Sequence, residues 1–213
     1  MSFATWIAFV IAGTVIAISP GSGAVLSMSH GLAYGVKKAS ATVLGLQLGL
    51  ILVLAIAGAG VGSLLLASET AFTVVKVIGA LYLIYLGVSQ WRSKAESGPM
   101  ASSAGLAAHP SVKKRVLTGF LTNATNPKGI IFMVAVLPQF ISKEAPLLPQ
   151  LLILGVTMVT IDSLVMHGYA ALAASMQRLF RDVRAVRIQN RFFGAVLVVV
   201  GSMLFFVKRG AQA

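Results

Sequence analysis

Two charged side chains lie in stretches of the sequence that are otherwise apolar. Asp162 is the only acid well inside such a stretch, and Lys128 lies in another, about 12 residues or roughly 18 Å of helix from its start. A charge inside a membrane-spanning helix is costly and is usually paired or functional. Asp162 is therefore a candidate ligand for an ammonium group and a candidate proton carrier. We expect Lys128 to pair with it, either as a simple counter-ion or as a second binding group for a carboxylate.

Proline interrupts two apolar stretches at corresponding places in the two halves of the chain. The first break reads SPGSG over residues 19–23, and the second reads NATNPKG over residues 123–129. Proline removes a backbone donor and clashes with the preceding turn, so each helix should open there. Opened backbone in lipid needs partners from protein or a water-lined cavity. Paired interruptions indicate a transporter's binding site, whereas a single one would favour a simple kink.

These arguments define a candidate substrate-binding set. Gln47 joins it as a lone polar group on an apolar stretch, where it either binds substrate or ties helices together. The candidate residues are Ser19, Pro20, Gly21, Ser22, Gln47, Asn123, Asn126, Pro127, Lys128 and Asp162. We expect His30 to be a solvated loop residue and His167 to be a packing or hydrogen-bonding residue, because no second ligand sits at metal spacing.

The composition is that of an integral membrane protein. The 213 residues are 57% hydrophobic and 10% charged, against about 25% charged in soluble domains. The net charge of +12 lies in short loops, which indicates membrane topology and anionic lipid rather than nucleic acid. The chain has no cysteine, which excludes disulfides and thiolate chemistry. Enzyme and nucleotide motifs are missing, so we predict neither enzymatic activity nor a cofactor.

The predicted fold is all-α, with six transmembrane helices in two inverted three-helix repeats. The first helix of each repeat is broken at proline. Lys76-x-x-Gly79-Ala80 and Arg191-x-x-Gly194-Ala195 match between the halves. The expected spans are 3–28, 39–67, 70–90, 116–141, 147–176 and 191–207. The first repeat covers 1–91, a flexible cytoplasmic linker rich in Ser, Ala, Gly and Pro covers 92–115, and the second repeat covers 116–213.

The loops alternate in charge, and this predicts their sidedness. Positive loops stay in the cytoplasm, which leaves both termini outside. Two glycine pairs on the second span predict close helix packing, within the chain or in a homodimer. The basic loop residues are Lys37, Lys38, Arg92, Lys94, Lys113, Lys114, Arg115, Arg178, Arg181, Arg184, Arg187 and Arg191, and the glycine pairs are Gly45 with Gly49 and Gly58 with Gly62.

Several motifs are spread along the chain: Ile18-Ser19-Pro20-Gly21, Gly31-x-x-x-Gly35, the Tyr82-Leu83-x-Tyr85-Leu86-Gly87 run, Gly119-Phe120-Leu121-Thr122-Asn123 with Asn126-Pro127-Lys128, and Leu137-Pro138-Gln139-Phe140. Through these motifs the chain resembles, along its whole length, the LysE/RhtB family of bacterial amino-acid exporters. Ser22 stands where the family typically has a second proline.

The resemblance implies a secondary transporter in the bacterial inner membrane. It would export amino acids or close analogues, driven by the proton motive force. A non-coupled channel, an exporter of another small solute such as a metal ion, and a membrane scaffold are the alternatives.

Overall fold

The structure is a computed structural model that describes residues 1–66, 69–92, 110–142, 144–175 and 183–206. Within these ranges the regular secondary structure is entirely helical. The helices are α1 (Phe3–Ile18), α2 (Ser22–Tyr34), α3 (Val36–Leu66), α4 (Glu69–Arg92), α5 (Val112–Ala124), α6 (Pro127–Val136), a 3₁₀ turn (Leu137–Phe140), α7 (Leu147–Ser175) and α8 (Val183–Phe206).

Both predicted helix breaks are confirmed. The chain bends by 57° between α1 and α2 and by 50° between α5 and α6. At the second break the Asn126 side chain accepts a hydrogen bond from the backbone N–H of Lys128, and Pro127 takes the first helical position of α6. Proline suits that position because its missing N–H would have no intrahelical partner.

Helix length and hydropathy identify a membrane protein. Val36–Gly60 and Leu147–Ser175 are each long and apolar enough to cross a bilayer, and each bent pair qualifies if it forms one span. In α4 the apolar part is the shorter stretch Lys76–Ser89. The described helices therefore contain up to four clear spans. The total of six membrane spans remains a prediction.

Two helices extend well beyond the apolar stretches from which we predicted them. α2 continues to Tyr34, past the expected end at residue 28, and α8 begins at Val183 rather than near residue 191. Arg184, Arg187 and Arg191 therefore belong to α8 and not to a loop. Arginine is a good helix former, so a helix runs on where the apolar pattern has stopped.

The linker also differs at its C-terminal end. α5 begins at Val112 because the Ser111 hydroxyl accepts from the backbone N–H of Lys114, at 3.2 Å. The basic residues at 113–115 are consequently helical. The linker residues 93–109, with Lys94, lie outside the described residues, as do Arg178, Arg181 and the lysine at 143.

Glycines bring α3 and α5 into backbone contact. A Cβ on Gly45 would overlap the Val116 carbonyl oxygen, and one on Gly119 would overlap that of Thr42. A Cβ on Gly49 would meet Phe120 and Ala124 farther along α5. The two helices thus run in the same direction and start at the same end of the bundle. The face that carries Gly45 and Gly49 is occupied within the chain and is not open to a second copy.

The other helix pairs have equally clear directions. Gly13 of α1 lies beside Met158 of α7, and Gly31 of α2 lies beside Ala170, so the broken pair runs parallel to α7. In contrast, Gly87 of α4 contacts Gly194 of α8, while Gly201 contacts Ala80, so α4 and α8 are antiparallel. The helices pack around a core that includes Phe9, Phe132 and Leu154.

Candidate functional site

A cavity of about 40 Å³ lies where the two helix breaks meet. A water molecule needs roughly 10–15 Å³ of such a cavity, so the space holds about three waters. Most of the wall is apolar, and the polar groups come from the breaks and from α7. The lining residues are Ile16, Ala17, Ser19, Gly21, Gly23, Ala24, Leu46, Leu50, Asn123, Asn126, Lys128, Gly129, Phe132, Met133, Met158, Asp162 and Met166.

Lys128 reaches across from α6 to the open end of α1. Its Nζ donates to the Ile16 carbonyl at 3.1 Å and to the Ser19 carbonyl at 2.5 Å. In an unbroken helix the Ile16 carbonyl would accept from the N–H of residue 20, which is proline here. Lys128 therefore supplies the donor that Pro20 lacks. Its positive charge also suits the partial negative charge at the end of a helix.

A second long side chain completes this cap. The Tyr169 hydroxyl of α7 donates to the carbonyl of Ile18. Three of the carbonyl oxygens at the first break, those of Ile16, Ile18 and Ser19, thus receive donors from two different helices. An ammonium carries three donors, and Lys128 uses two of them here, so one remains for a ligand.

The start of α2 faces the same space without a cap of its own. Its N-cap residue is Gly21, which has no side chain to cap the first turn. The first N–H groups of a helix have no intrahelical partner and favour anions. A Cβ on Gly21 would lie 3.1 Å from Lys128 Nζ, so glycine lets the ammonium approach this turn. The α2 start and Lys128 together form a positive subsite.

Asp162 lies in another part of the cavity wall. One of its carboxylate oxygens accepts from Gln47 Nε2 of α3 at 2.8 Å, and both residues are buried. Among the described residues, the buried Gln47 Oε1 and Ser19 Oγ have no hydrogen-bond partner. Buried polar atoms without partners are unfavourable, and the Ser19 hydroxyl lies in the cavity wall, so it is available to a polar ligand.

The predicted pairing of Lys128 with Asp162 is not a direct contact, although the two charges interact electrostatically. Within the described part of the chain no ion pair within 4.0 Å joins them, because each side chain has other partners. Lys128 donates to backbone carbonyls at the end of α1, which are exposed because that helix is broken at Pro20. The two charges nevertheless line one cavity, as the sequence predicted for a shared site.

Six of the ten candidate residues line the cavity: Ser19, Gly21, Asn123, Asn126, Lys128 and Asp162. Gln47 acts behind it by holding Asp162, while Pro20, Ser22 and Pro127 shape the breaks from outside the wall. Asn123 also has a structural role, since its amide donates to the Leu46 carbonyl at 2.7 Å and ties α5 to α3.

Sequence reasoning missed the apolar side of the site. Met133, Met158 and Met166 line the cavity from two helices, and Tyr169 caps α1. Methionine is a flexible, polarisable side chain that adapts to ligands of different shape. A Met on every second turn of α7 was a visible signal, but apolar residues at that spacing are usual in any buried helix.

The two histidines have different outcomes. His30 is buried, and its Nδ1 lies 2.5 Å from the Thr42 hydroxyl, so the expectation of a solvated loop residue is wrong. α2 extends past residue 28 and carries His30 into the bundle. His167 is confirmed as a hydrogen-bonding residue, with the Ser163 carbonyl at 2.8 Å and the Ser40 hydroxyl at 3.1 Å. The described residues contain no group of three or more side chains arranged to hold a metal ion.

Comparison with known proteins identifies a family and several relatives. Residues 14–207 match the family described as "LysE type translocator". The chain is 40% identical over 208 residues to an "Uncharacterized membrane protein" of Vibrio cholerae, covering 98% of this chain and 100% of that one. It is 38% identical over 204 residues to a "Homoserine/homoserine lactone efflux protein" of Salmonella typhi, covering 96% and 97%.

A more distant relative is named for a different substrate. A "Leucine efflux protein" of an Enterobacter species is 31% identical over 137 residues, which are 64% of each chain. No solved structure matches the chain.

Proposed function

The chain belongs to the LysE family of translocators, and from that membership we propose that it exports small amino acids or their close analogues across the bacterial cytoplasmic membrane. The family consists of transporters and not of enzymes. The observation that carries the proposal is one cavity with a positive subsite and a carboxylate in different parts of its wall.

The charges of the cavity suit a zwitterion. The substrate carboxylate binds the remaining N–H of Lys128 and the uncapped first turn of α2. The substrate ammonium binds Asp162, which Gln47 holds in place from behind the cavity wall. Both subsites use groups whose hydrogen-bonding capacity is unfilled in the described chain, so binding need not break an existing contact.

The preferred substrate is an amino acid with a small polar side chain. The buried hydroxyl of Ser19 in the cavity wall has no partner among the described residues, which favours a substrate with a polar side chain. Homoserine fits this description better than leucine, and the relative with the greater coverage is named for homoserine and its lactone. The lactone has an ammonium but no carboxylate, so it would depend on Asp162 and much less on Lys128.

Alternating access would follow from inverted repeats. The broken pair α1–α2 of the first half packs parallel to α7 of the second half. In the same way, the broken pair α5–α6 of the second half packs beside α3 of the first half, and α5 is parallel to α3. The antiparallel packing of α4 with α8 completes the pattern that an inversion of one half onto the other requires. Rocking of the two halves about the breaks would expose the cavity to each side in turn.

The coupling and the topology belong to the same proposal. An acid in a shared cavity is able to carry a proton, so Asp162 remains the candidate for proton coupling. The basic ends of the helices face the cytoplasm, and both termini face outward. A homodimer is not part of the proposal, because the Gly45 and Gly49 face already packs against α5.

Counterflow in proteoliposomes tests the function. Purified protein is loaded with unlabelled homoserine, homoserine lactone, leucine or lysine and challenged with labelled homoserine, with and without a pH gradient. We expect saturable exchange that homoserine and its lactone support best, and accumulation against a concentration gradient when a pH gradient is present. Folded protein that exchanges none of these solutes would refute amino-acid export. Flux that does not saturate would indicate a channel.

A further inference from the structure

Arg115 is a buried cation that has no anionic partner among the described residues. Its residue exposure is 7%, and the Nε and Nη1 atoms are fully buried with no hydrogen-bond partner in the described chain. The guanidinium carbon lies 6.0 Å from the centre of the Tyr34 ring. An aromatic face stabilises such a charge only in part, and a buried unpaired charge costs several kcal/mol in general.

The surroundings of Arg115 add further positive charge. α3 and α5 begin at the same end of the bundle, because Gly45 packs on Val116 and Gly49 on Ala124. Two helix N-termini therefore lie together, and each has a partial positive charge. Four exposed lysines flank them: Lys37, Lys38, Lys113 and Lys114.

Asp162 and Glu144 lie away from this cluster. Asp162 is held by Gln47 in the cavity. Glu144 precedes α7, whose direction puts it at the opposite end of the bundle. Neither carboxylate neutralises the cluster formed by Arg115 and the four lysines, which we call the basic end site.

We propose that the basic end site binds a phosphate anion, supplied by the headgroup of an anionic phospholipid. The site lies where membrane-spanning helices begin, which is the depth of lipid phosphates. Basic pockets between helices at this depth suit such headgroups. The phosphate oxygens would accept from the unpartnered N–H groups of Arg115 after a small outward turn of its side chain, while the lysines contribute attraction from the rim.

Lipid-dependent stability tests this site on the purified full chain. Its melting temperature is measured with added phosphatidylglycerol, with phosphatidylcholine and with inorganic phosphate, and retained lipid is weighed by native mass spectrometry. We expect phosphatidylglycerol to raise the melting temperature by about 5 °C at a hundredfold excess over its dissociation constant. Phosphatidylcholine should have little effect. A response to inorganic phosphate alone would support the phosphate site but assign it to the free anion.

Arg115→Gln should remove most of the phosphatidylglycerol effect. The matched control is Arg187→Gln, which removes the same charge from an exposed position on α8 and should leave the effect intact. If Arg115→Gln does not fold, the double variant Lys38→Gln/Lys114→Gln replaces it, with an expected loss in lipid affinity of about tenfold or more. Equal responses to both lipids, or equal losses in the Arg187 control, would overturn the proposal.

Two further acids, Glu96 and Asp182, lie outside the described residues. The same comparison is therefore repeated with Glu96→Gln and Asp182→Asn in the background. A lipid effect that still depends on Arg115 supports the site. An effect of Arg115→Gln that disappears in this background would show that one of these carboxylates, and not a lipid, is its partner.

Discussion

At the residue scale, the site depends on how a proline and a lysine complement each other. Pro20 withholds the N–H that the Ile16 carbonyl would normally receive, and Lys128 donates to that carbonyl from another helix. The ammonium of Lys128 therefore stabilises the open end of α1 within the membrane, and the same ammonium lies in the cavity. Asp162 is held differently, by the neutral amide of Gln47, so its negative charge is not neutralised directly.

The charge of Asp162 should matter more for transport than for folding. Asp162→Asn retains an oxygen that accepts from Gln47 Nε2 but loses the charge that binds an ammonium. We expect kcat/KM for homoserine exchange to fall about 10- to 100-fold, as is typical for hydrogen bonds between charged groups. Counterflow with the purified variant measures it.

Glu144→Gln is the matched control for this prediction. It removes one carboxylate charge at an exposed position outside the cavity and should exchange at the wild-type rate. Wild-type exchange by Asp162→Asn, with a normal melting temperature, would remove Asp162 from the binding site.

At the element scale, the two bends are stabilised by contacts that come from other helices. Side chains of α6 and α7 donate to the last carbonyls of α1. The first turn of α6 is instead capped by the side chain of its own N-cap residue, Asn126. The first bend is thus a tertiary feature, and the second has a local cap. Changes to α6 should therefore affect the stability of the α1 end.

Pro20→Ala should reduce the cost of losing Lys128. Lys128→Met removes both donors from the α1 carbonyls, and we expect the free energy of unfolding to fall by about 2–4 kcal/mol. With alanine at position 20, the backbone N–H is able to serve the Ile16 carbonyl. The same lysine substitution should then cost about 1 kcal/mol less. Unfolding in mixed micelles with increasing dodecyl sulfate measures all four variants of the cycle.

Pro149→Ala is the control proline for this cycle. Pro149 is exposed in the first turn of α7, where no donor is missing, so its replacement should not change the cost of Lys128→Met. Equal costs of Lys128→Met in the wild-type and Pro20→Ala backgrounds would mean that the lysine does not act as the substitute donor.

At the scale of the whole molecule, the helix directions separate two ends of different charge. The end at which α3 and α5 begin carries Lys37, Lys38 and the lysines of α5, and the end at which α7 begins carries Glu144. This difference predicts the orientation in the membrane, with the basic end in the cytoplasm.

Single cysteines test this orientation cleanly, because the chain has none of its own. Glu144→Cys should react with a membrane-impermeant maleimide in intact cells. Lys113→Cys should react only after the cells are permeabilised, since it lies at the basic end. The reverse pattern would invert the topology and would make the transporter's basic end external.

The sequence by itself determined the class of the protein, both helix breaks and most of the polar residues of the site. Those features depend on composition and on proline, whose effects on a helix are local. Only the tertiary structure decided the partners of each charge. Lys128 binds carbonyls of α1, Asp162 binds Gln47, and His30 is buried, because these contacts depend on how distant helices rotate and pack. A pattern along one helix does not specify which face of another helix it meets, and that choice is made by the close packing of the whole bundle.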